Sequence, residues 1–174
     1  MMIGSTAASV DALQASIRAF GLPVLFGVFI LKGALVGKVF PTSVFLPGYV
    51  VGGGLTGREA ALVVVVVTIA HILGQLALYL GISRYGWSVL EELPYVELER
   101  ESAQYRRLDR WFERYGGTAI FVTNVVPVSR GVIAVPAALS SYSTCRYTLH
   151  MSTATLLYHA VYVAVAIVGV AAIS

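Results

Sequence analysis

The stretch Val63-Val64-Val65-Val66-Val67-Thr68-Ile69-Ala70 decides which class of fold this chain can adopt. It lies within a segment over residues 60–82 that carries no Asp, Glu, Lys or Arg. About 20 predominantly apolar residues are enough for an α-helix to cross the hydrocarbon core of a bilayer. We therefore predict a transmembrane helix over 60–82 and interpret the chain as an all-α integral membrane protein.

The composition of the whole chain agrees with this interpretation. The 174 residues are 57% hydrophobic and 12% charged, and the mean hydropathy is +0.80, whereas soluble domains carry about 25% charged residues. Of the 12 basic and nine acidic residues, thirteen lie between Arg84 and Arg114. This distribution excludes an ordinary soluble fold, a disordered chain and a nucleic-acid-binding protein, which needs a basic surface. The single cysteine, Cys145, excludes a disulfide framework.

The remaining segments complete a single membrane domain over 1–174. In chain order we predict an amphipathic helix over 5–20, an apolar helix over 21–37, an interrupted segment over 40–56, a polar segment over 84–116, a second interrupted segment over 117–138, and a transmembrane helix over 147–173.

Both interrupted segments are apolar enough for the membrane but contain residues that break helices. These are Pro41, Pro47 and Gly48 in the first segment, and Pro127 and Pro136 in the second. An interrupted backbone in lipid leaves polar groups unpaired unless it is buried in protein or lines a wet cavity. We predict two re-entrant hairpins that face each other at the centre, each followed by a transmembrane helix. Such paired interruptions indicate a transporter built from an inverted repeat.

Three cations lie in or beside these apolar segments, namely Lys32, Lys38 and Arg130, and no Asp or Glu occurs over 12–57 or 115–174. An unpaired charge at the bilayer centre costs roughly 3 kcal/mol. A bound anion would offset that cost, and the planar guanidinium of Arg130 suits a phosphate. We predict that Arg130 binds a phosphate. The alternative, for all three side chains, is that they extend to the lipid headgroups.

Polar residues at helical spacing mark one face of each predicted transmembrane helix. They are Thr68, His71, Gln75 and Tyr79 in the first, and Ser152, Thr155, His159 and Tyr162 in the second. One interpretation is hydrogen bonding between helices. The other is a proton relay through His71, Gln75 and His159, because histidine titrates near neutral pH.

The polar segment over 84–116 contains an amphipathic helix over 97–115. Leu98, Tyr105, Leu108, Phe112 and Tyr115 form its apolar stripe, and Arg106, Arg110 and Arg114 form a basic ridge beside Trp111. We predict that this helix lies on a membrane surface, attracted by anionic lipids. The alternative is a solvated helix between spans. The six arginines of the segment predict that it is cytoplasmic.

Enzyme motifs are missing from the chain, which has no P-loop, no His-Glu-x-x-His and no Gly-x-Ser-x-Gly. A phosphate-binding site without a nucleophile indicates a carrier and not an enzyme, and we expect neither a cofactor nor a metal ion.

An ordered set of short motifs resembles the DedA family, whose eukaryotic relatives include SNARE-associated-type lipid scramblases. The set comprises Pro41…Pro47-Gly48 with trailing glycines, Gly74…Tyr79-x-Gly81-x-x-Arg84-x-Gly86, Arg114-Tyr115-Gly116, and Pro127-x-x-Arg130. The resemblance implies a small helical membrane protein with two re-entrant hairpins that translocates phospholipids or polyprenyl phosphate carriers. It also implies that Arg130 matches the second arginine of the family's proline element.

The chain departs from the family pattern at four places. Asn124 stands where an arginine is usual, Tyr49 and Gln75 stand where acidic residues are usual, and no acidic residue precedes Pro41. The resemblance also implies proton coupling, which in this chain would lack the usual carboxylates. The missing acidic residues favour an anionic substrate.

These observations lead to one functional hypothesis and two alternatives. We predict a flippase of the cell membrane for an anionic lipid, either the undecaprenyl phosphate carrier of envelope synthesis or a phospholipid. In it, Arg130 holds the phosphate with the help of Asn124, Ser129, Ser43, Lys38 and Lys32. The alternatives are a proton- or cation-coupled antiporter for a small solute, and a membrane scaffold that uses the basic helix. The sequence is compatible with a monomer or a homo-oligomer.

Overall fold

The computed structural model describes residues 21–35, 42–55, 57–93, 99–126 and 131–172. Within these ranges the chain forms helices and turns, with no strand. The helices are α1 Gly21–Gly33, α2 Thr42–Gly52, α3 Gly57–Tyr85, α4 Ser88–Glu91, α5 Ala103–Tyr115, α6 Gly117–Val125, α7 Ala134–Leu139 and α8 Thr144–Ala171. The predicted helix over 5–20 lies outside the described residues.

Two helices, α3 with 29 residues and α8 with 28, are long and apolar enough to cross a membrane. At 1.5 Å per residue each is about 43 Å long, which exceeds the ~30 Å of hydrocarbon in a bilayer. They contain the segments 60–82 and, in all but its last two residues, 147–173, so the prediction of two long apolar helices is confirmed.

The exposed surface of α3 is largely apolar, unlike that of a helix in a soluble protein. Leu62, Ile69 and Leu73 are among its exposed residues, whereas His71 and Gln75 are buried. Water would favour the opposite arrangement, because exposed apolar area costs free energy and buried polar groups must be hydrogen-bonded. An apolar solvent removes the first cost. The fold is therefore that of an all-helical membrane protein.

Helices α3 and α8 pack against each other in antiparallel directions. Thr68 on α3 contacts His159 on α8, and Tyr79, three turns further along α3, stacks on Tyr147 with ring centroids 4.1 Å apart. Residue numbers rise along one helix as they fall along the other. The C-terminal end of α3 and the N-terminal end of α8 therefore lie at the same end of the bundle.

Two short helices followed by a long helix occur twice along the chain, as α1–α2–α3 and as α6–α7–α8. The contacts cross between the two sets, since α2 packs on α8 and α7 packs on α3. Each long helix is therefore flanked by a short helix from the other half.

Two of the three residues that are predicted to interrupt the segment 40–56 lie within a helix. Pro47 and Gly48 lie inside α2, which is continuous from Thr42 to Gly52. The prediction that these two residues break the helix is wrong. Neighbouring helices can supply partners for a carbonyl that proline leaves free, so membrane helices tolerate interior prolines. Helix α1 ends at Gly33, earlier than the predicted residue 37, and Leu35 follows with a φ of +64°. Pro41 lies outside the described residues.

The second interruption lies close to its predicted place. Helix α6 ends at Val125, and Val126 is extended, with φ −84° and ψ 126°. This is the conformation expected of a residue that precedes a proline, although Pro127 itself lies outside the described residues. Pro136, by contrast, is the third residue of α7, where a missing N–H leaves no helical hydrogen bond unmade. Pro136 is therefore compatible with the first turn of a helix, and the prediction that it breaks one is wrong.

The amphipathic helix of the polar segment begins later than residue 97. Helix α5 spans Ala103–Tyr115, and the Ser102 side chain caps it by accepting a hydrogen bond from the Tyr105 N–H at 3.1 Å. Tyr115 is exposed, so it does not belong to the buried stripe, and Leu98 lies outside the described residues.

The buried apolar residues form two clusters, which α3 and α8 connect. One contains residues of α1, α2 and the first half of α3, with Val163 of α8. The other contains residues of the second half of α3, α4 to α7 and the first part of α8. On both long helices, buried polar residues lie between the two clusters. We call Thr68, His71, Gln75, Asn124, Thr155 and His159 the polar layer.

Candidate functional site

The polar layer brings together side chains from α3, α6 and α8 in the interior of the bundle. Gln75, Asn124 and Thr155 have no exposed surface, and His71 and His159 are 2% and 1% exposed. A polar group without a partner is costly in such surroundings. The hydrogen bonds of these buried side chains, and the polar atoms left without one, therefore mark the candidate site.

A pair of amides joins α3 to α6. The Gln75 Nε2 donates to Asn124 Oδ1 at 2.9 Å, and Asn124 Nδ2 donates to the carbonyl of Ile120, one turn earlier on α6, at 2.8 Å. Both polar atoms of the Asn124 side chain thereby have a hydrogen-bond partner. Gln75 Oε1 is buried and finds no hydrogen-bond partner among the described residues, so one strong acceptor remains available at this position.

Helix α1 approaches α3 closely at the level of this amide pair. A Cβ atom added to Gly33 would lie 2.8 Å from the backbone N of Gln75, and one added to Gly74 would lie 2.9 Å from the backbone N of Ala34. Neither position has room for a side chain. The two glycines therefore allow the end of α1 to lie directly against α3.

The residue that follows Arg130 packs on the same amide. Gly131 is buried with a φ of +82°, and a Cβ there would lie 3.5 Å from Gln75 Nε2 and 2.8 Å from Leu35 Cδ2. Leu35 is the last described residue before the first gap, and Gly131 is the first after the gap over 127–130. The described ends of both interrupted segments thus meet beside Gln75.

A second group of side chains lies one turn earlier on α3. The Thr68 Oγ1 is 3.0 Å from His159 Nδ1, and the rings of His71 and His159 meet edge to face with centroids 5.7 Å apart. Phe29 of α1 packs against both rings, at 5.1 Å from His159 and 6.4 Å from His71. The two histidines that the sequence marks as candidates for a proton relay are therefore in contact.

The predicted site residues fall into three sets. His71, His159, Gln75 and Asn124 lie together in the polar layer. Lys32 is half-buried in the last turn of α1, next to Gly33. Arg130, Ser129 and Lys38, together with the side chain of Ser43, lie outside the described residues.

Tyr147 is a buried polar residue that the sequence pattern did not bring to attention. Its hydroxyl is buried without a hydrogen-bond partner among the described residues, as is that of Thr155. Tyr147 lies twelve residues before His159, with Met151 and Thr155 between them at steps of four. This spacing places all four on one face of a helix and is the signal that could have identified Tyr147.

Comparisons with known proteins point to one relative. The chain is similar to undecaprenyl phosphate transporter A of Staphylococcus aureus (strain NCTC 8325 / PS 47). The two are 27% identical over 144 residues, which cover 76% of this chain and 66% of that protein. The chain therefore spans about two thirds of the length of this relative. No family model matches the sequence, and no solved structure matches it.

Proposed function

We propose that this protein is a membrane transporter that carries an anionic lipid, a polyprenyl phosphate, across the bilayer. The observation that carries the proposal is the meeting of Leu35 and Gly131 beside the buried amide of Gln75. The name of the similar protein, a transporter of undecaprenyl phosphate, supports the same class of substrate. A phospholipid is the neighbouring possibility, because its headgroup carries the same phosphate.

The physical task of such a transporter concerns the headgroup alone. The isoprenoid tail stays in the hydrocarbon throughout, since it is as apolar as the lipid around it. The phosphate must cross a region where a charge is expensive. A polar layer between two apolar clusters, reached by interrupted helices, can replace the hydration of the phosphate at the middle of that path.

Arg130 is proposed as the group that binds the phosphate. It precedes Gly131, whose Cα lies against Gln75 and Leu35, and its guanidinium can donate two parallel hydrogen bonds to a phosphate. Ser129, Ser43, Lys38 and Lys32 are proposed to assist. Asn124 Oδ1 accepts from Gln75, and Asn124 Nδ2 donates one hydrogen bond to the Ile120 carbonyl, which leaves its second N–H for the phosphate. We also assign Asn124 and Gln75 to positioning the segment that carries Arg130.

The pairs α1–α2 and α6–α7 are proposed to be the moving parts. Each pair precedes the long helix of its own half, and the crossed contacts of α2 with α8 and of α7 with α3 support an inverted repeat. Re-entry of each pair from opposite sides would expose the phosphate first to one face of the cell membrane and then to the other. In this arrangement the segment 84–116 is cytoplasmic.

The test is transfer of a polyprenyl phosphate across the membrane of proteoliposomes that contain the purified protein. Arg130→Ala is expected to abolish transfer, and Arg130→Lys to retain a reduced rate, because lysine keeps the charge but not the planar fork. The control is Arg58→Ala, which removes an exposed arginine in the first turn of α3. This variant should transfer lipid at the wild-type rate. A wild-type rate in Arg130→Ala would refute the proposed site.

A second candidate is an antiporter that couples a small solute to protons or cations. The contact between His71 and His159, with Thr68 bonded to His159, favours it, because two adjacent imidazoles can exchange a proton near neutral pH. This function predicts that a pH-sensitive dye trapped in proteoliposomes responds to a Na⁺ or K⁺ gradient, and that His159→Gln removes the response. Transfer of polyprenyl phosphate without any dye response would exclude this candidate.

A further inference from the structure

Helix α5 does not use its apolar stripe to bind lipid. Tyr105, Leu108 and Phe112 are buried in the protein core. The Tyr105 ring lies edge to face against Trp87 with centroids 5.0 Å apart, and Phe112 does the same against Tyr142 at 5.4 Å. These three side chains are therefore not available to bind lipid. Any contact of α5 with lipid must use the opposite side of the helix.

The outward side of α5 carries aromatic and arginine side chains together. Trp111 and Tyr115 are 39% and 45% exposed, and their rings meet edge to face with centroids 5.8 Å apart. The Arg114 guanidinium lies 5.3 Å from the centre of the Tyr115 ring. With Arg107 and Arg110 they line an open groove of about 610 Å³, to which Glu113 also contributes. We call Arg107, Arg110, Trp111, Arg114 and Tyr115 the basic aromatic surface.

Acidic and basic side chains lie mostly on different sides of α5, with Glu113 reaching both grooves. At about 100° per residue, Trp111 and Tyr115 lie on one flank of the buried stripe, whereas Asp109 and Glu113 lie on the other. The acidic flank faces the end of α7, where both carboxylates line a separate groove of about 430 Å³ with Pro136 and Tyr142 among others. The arginines occupy the face that points away from the core. Trp111 and Tyr115 therefore lie between the buried stripe and the arginines.

The position of α5 in the fold matches a membrane interface. It follows the C-terminal end of α3 in the chain and packs on α6 and α7, and its Phe112 contacts Tyr142, which precedes the N-terminal end of α8. It therefore lies at the end of the bundle where both long helices leave the hydrocarbon. Tryptophan and tyrosine are enriched at this depth, and arginines near it attract anionic headgroups.

We propose that the basic aromatic surface binds the anionic headgroups of the membrane in which the protein is embedded. The apolar stripe of α5 attaches the helix to the protein, and its outer face attaches it to the lipid surface. This binding site is separate from the proposed transport site at Arg130 and would bind lipids that remain in one leaflet.

The test uses the fluorescence of Trp111 in the reconstituted full-length protein. The chain has two tryptophans, so Trp87→Phe leaves Trp111 as the single reporter. Brominated phosphatidylglycerol is expected to quench Trp111 about twofold more strongly than brominated phosphatidylcholine at the same density, because anionic lipid accumulates at the arginines. At about 1 M salt, where the Debye length falls to ~3 Å, the preference should disappear. Replacing Arg107, Arg110 and Arg114 by Gln should also abolish it.

Two control variants show whether the preference for anionic lipid belongs to this surface. Trp111→Phe leaves the half-buried Trp87 as the reporter, and its quenching should show no preference for anionic lipid. If Trp87→Phe does not fold, the difference in quenching between the wild type and Trp111→Phe gives the contribution of Trp111. Arg130→Ala should leave the preference intact, so failure of the transport site and failure of this inference are distinguishable. Equal quenching by both lipids, or none by either, would overturn the inference and leave α5 facing water or another protein.

Discussion

At the scale of single residues, Gln75 contacts three other parts of the described chain. It donates to Asn124, its backbone N lies against Gly33, and its side chain lies against Gly131. Three separate segments thereby contact one residue of α3. The sequence marks Gln75 as a candidate for proton transfer, whereas its contacts are those of a structural junction with one acceptor, Oε1, still available.

The junction predicts a measurable coupling between Gln75 and Asn124. Gln75→Ala should lower the free energy of unfolding by about 1–3 kcal/mol, because Asn124 Oδ1 is left buried without its donor. Asn124→Ala should cost a similar amount, and the double variant should cost less than the sum, with a coupling of about 0.6–1.7 kcal/mol. Unfolding of the four proteins in detergent, as a double-mutant cycle, measures this. Strict additivity would show that the hydrogen bond makes no contribution to stability.

At the scale of elements, the two kinds of glycine in this chain behave differently. Gly74 lies where α1 and α3 touch, and a side chain there would meet the backbone of α1. Gly48 lies inside α2, and a Cβ added to it would have nothing within 4 Å. The sequence alone suggests that Gly48 helps to break a helix, whereas α2 is continuous there.

A matched pair of substitutions tests this difference. Gly48→Ala should leave stability unchanged or raise it by about 0.5–1 kcal/mol, because alanine favours the helix. Gly74→Ala should lower it by about 1–3 kcal/mol, because α1 must move away from α3. Thermal unfolding in detergent compares them with the wild type. A strongly destabilised Gly48→Ala protein would mean that α2 is interrupted at this position after all.

At the scale of the whole molecule, the antiparallel packing of α3 and α8 determines which parts of the chain share a side of the membrane. The stacking of Tyr79 on Tyr147 brings the end of α3 next to the beginning of α8. With both helices crossing the membrane, we expect Cys145, which is exposed, on the same side as the polar segment that follows α3. We expect Arg58, at the start of α3, on the opposite side.

Labelling of cysteines in intact cells tests this topology. The Arg58→Cys substitution is made in a Cys145→Ser protein. An impermeant maleimide should label this cysteine from outside, because we propose that the arginine-rich segment at the other end of α3 is cytoplasmic. Glu101→Cys in the same protein and native Cys145 in the wild type should react only after the membrane is permeabilised. Labelling of Glu101→Cys and Arg58→Cys from the same side would contradict the crossing of the membrane by α3. Labelling of native Cys145 from outside would contradict the antiparallel arrangement of α3 and α8.

The sequence by itself determined the class of fold and the long elements, because twenty or more apolar residues without charge have one stable arrangement in a bilayer. It also determined that Thr68, His71 and Gln75 face inward, since a 3.6-residue period places them on one side of a helix whose other side is apolar. It did not determine that α2 continues through Pro47, because an interior proline is tolerated when other helices surround it. Only the tertiary structure decided that Gln75 pairs with Asn124 and that His71 meets His159. These contacts join positions 49 or more residues apart, and the spacing along one helix carries no information about the partner on another.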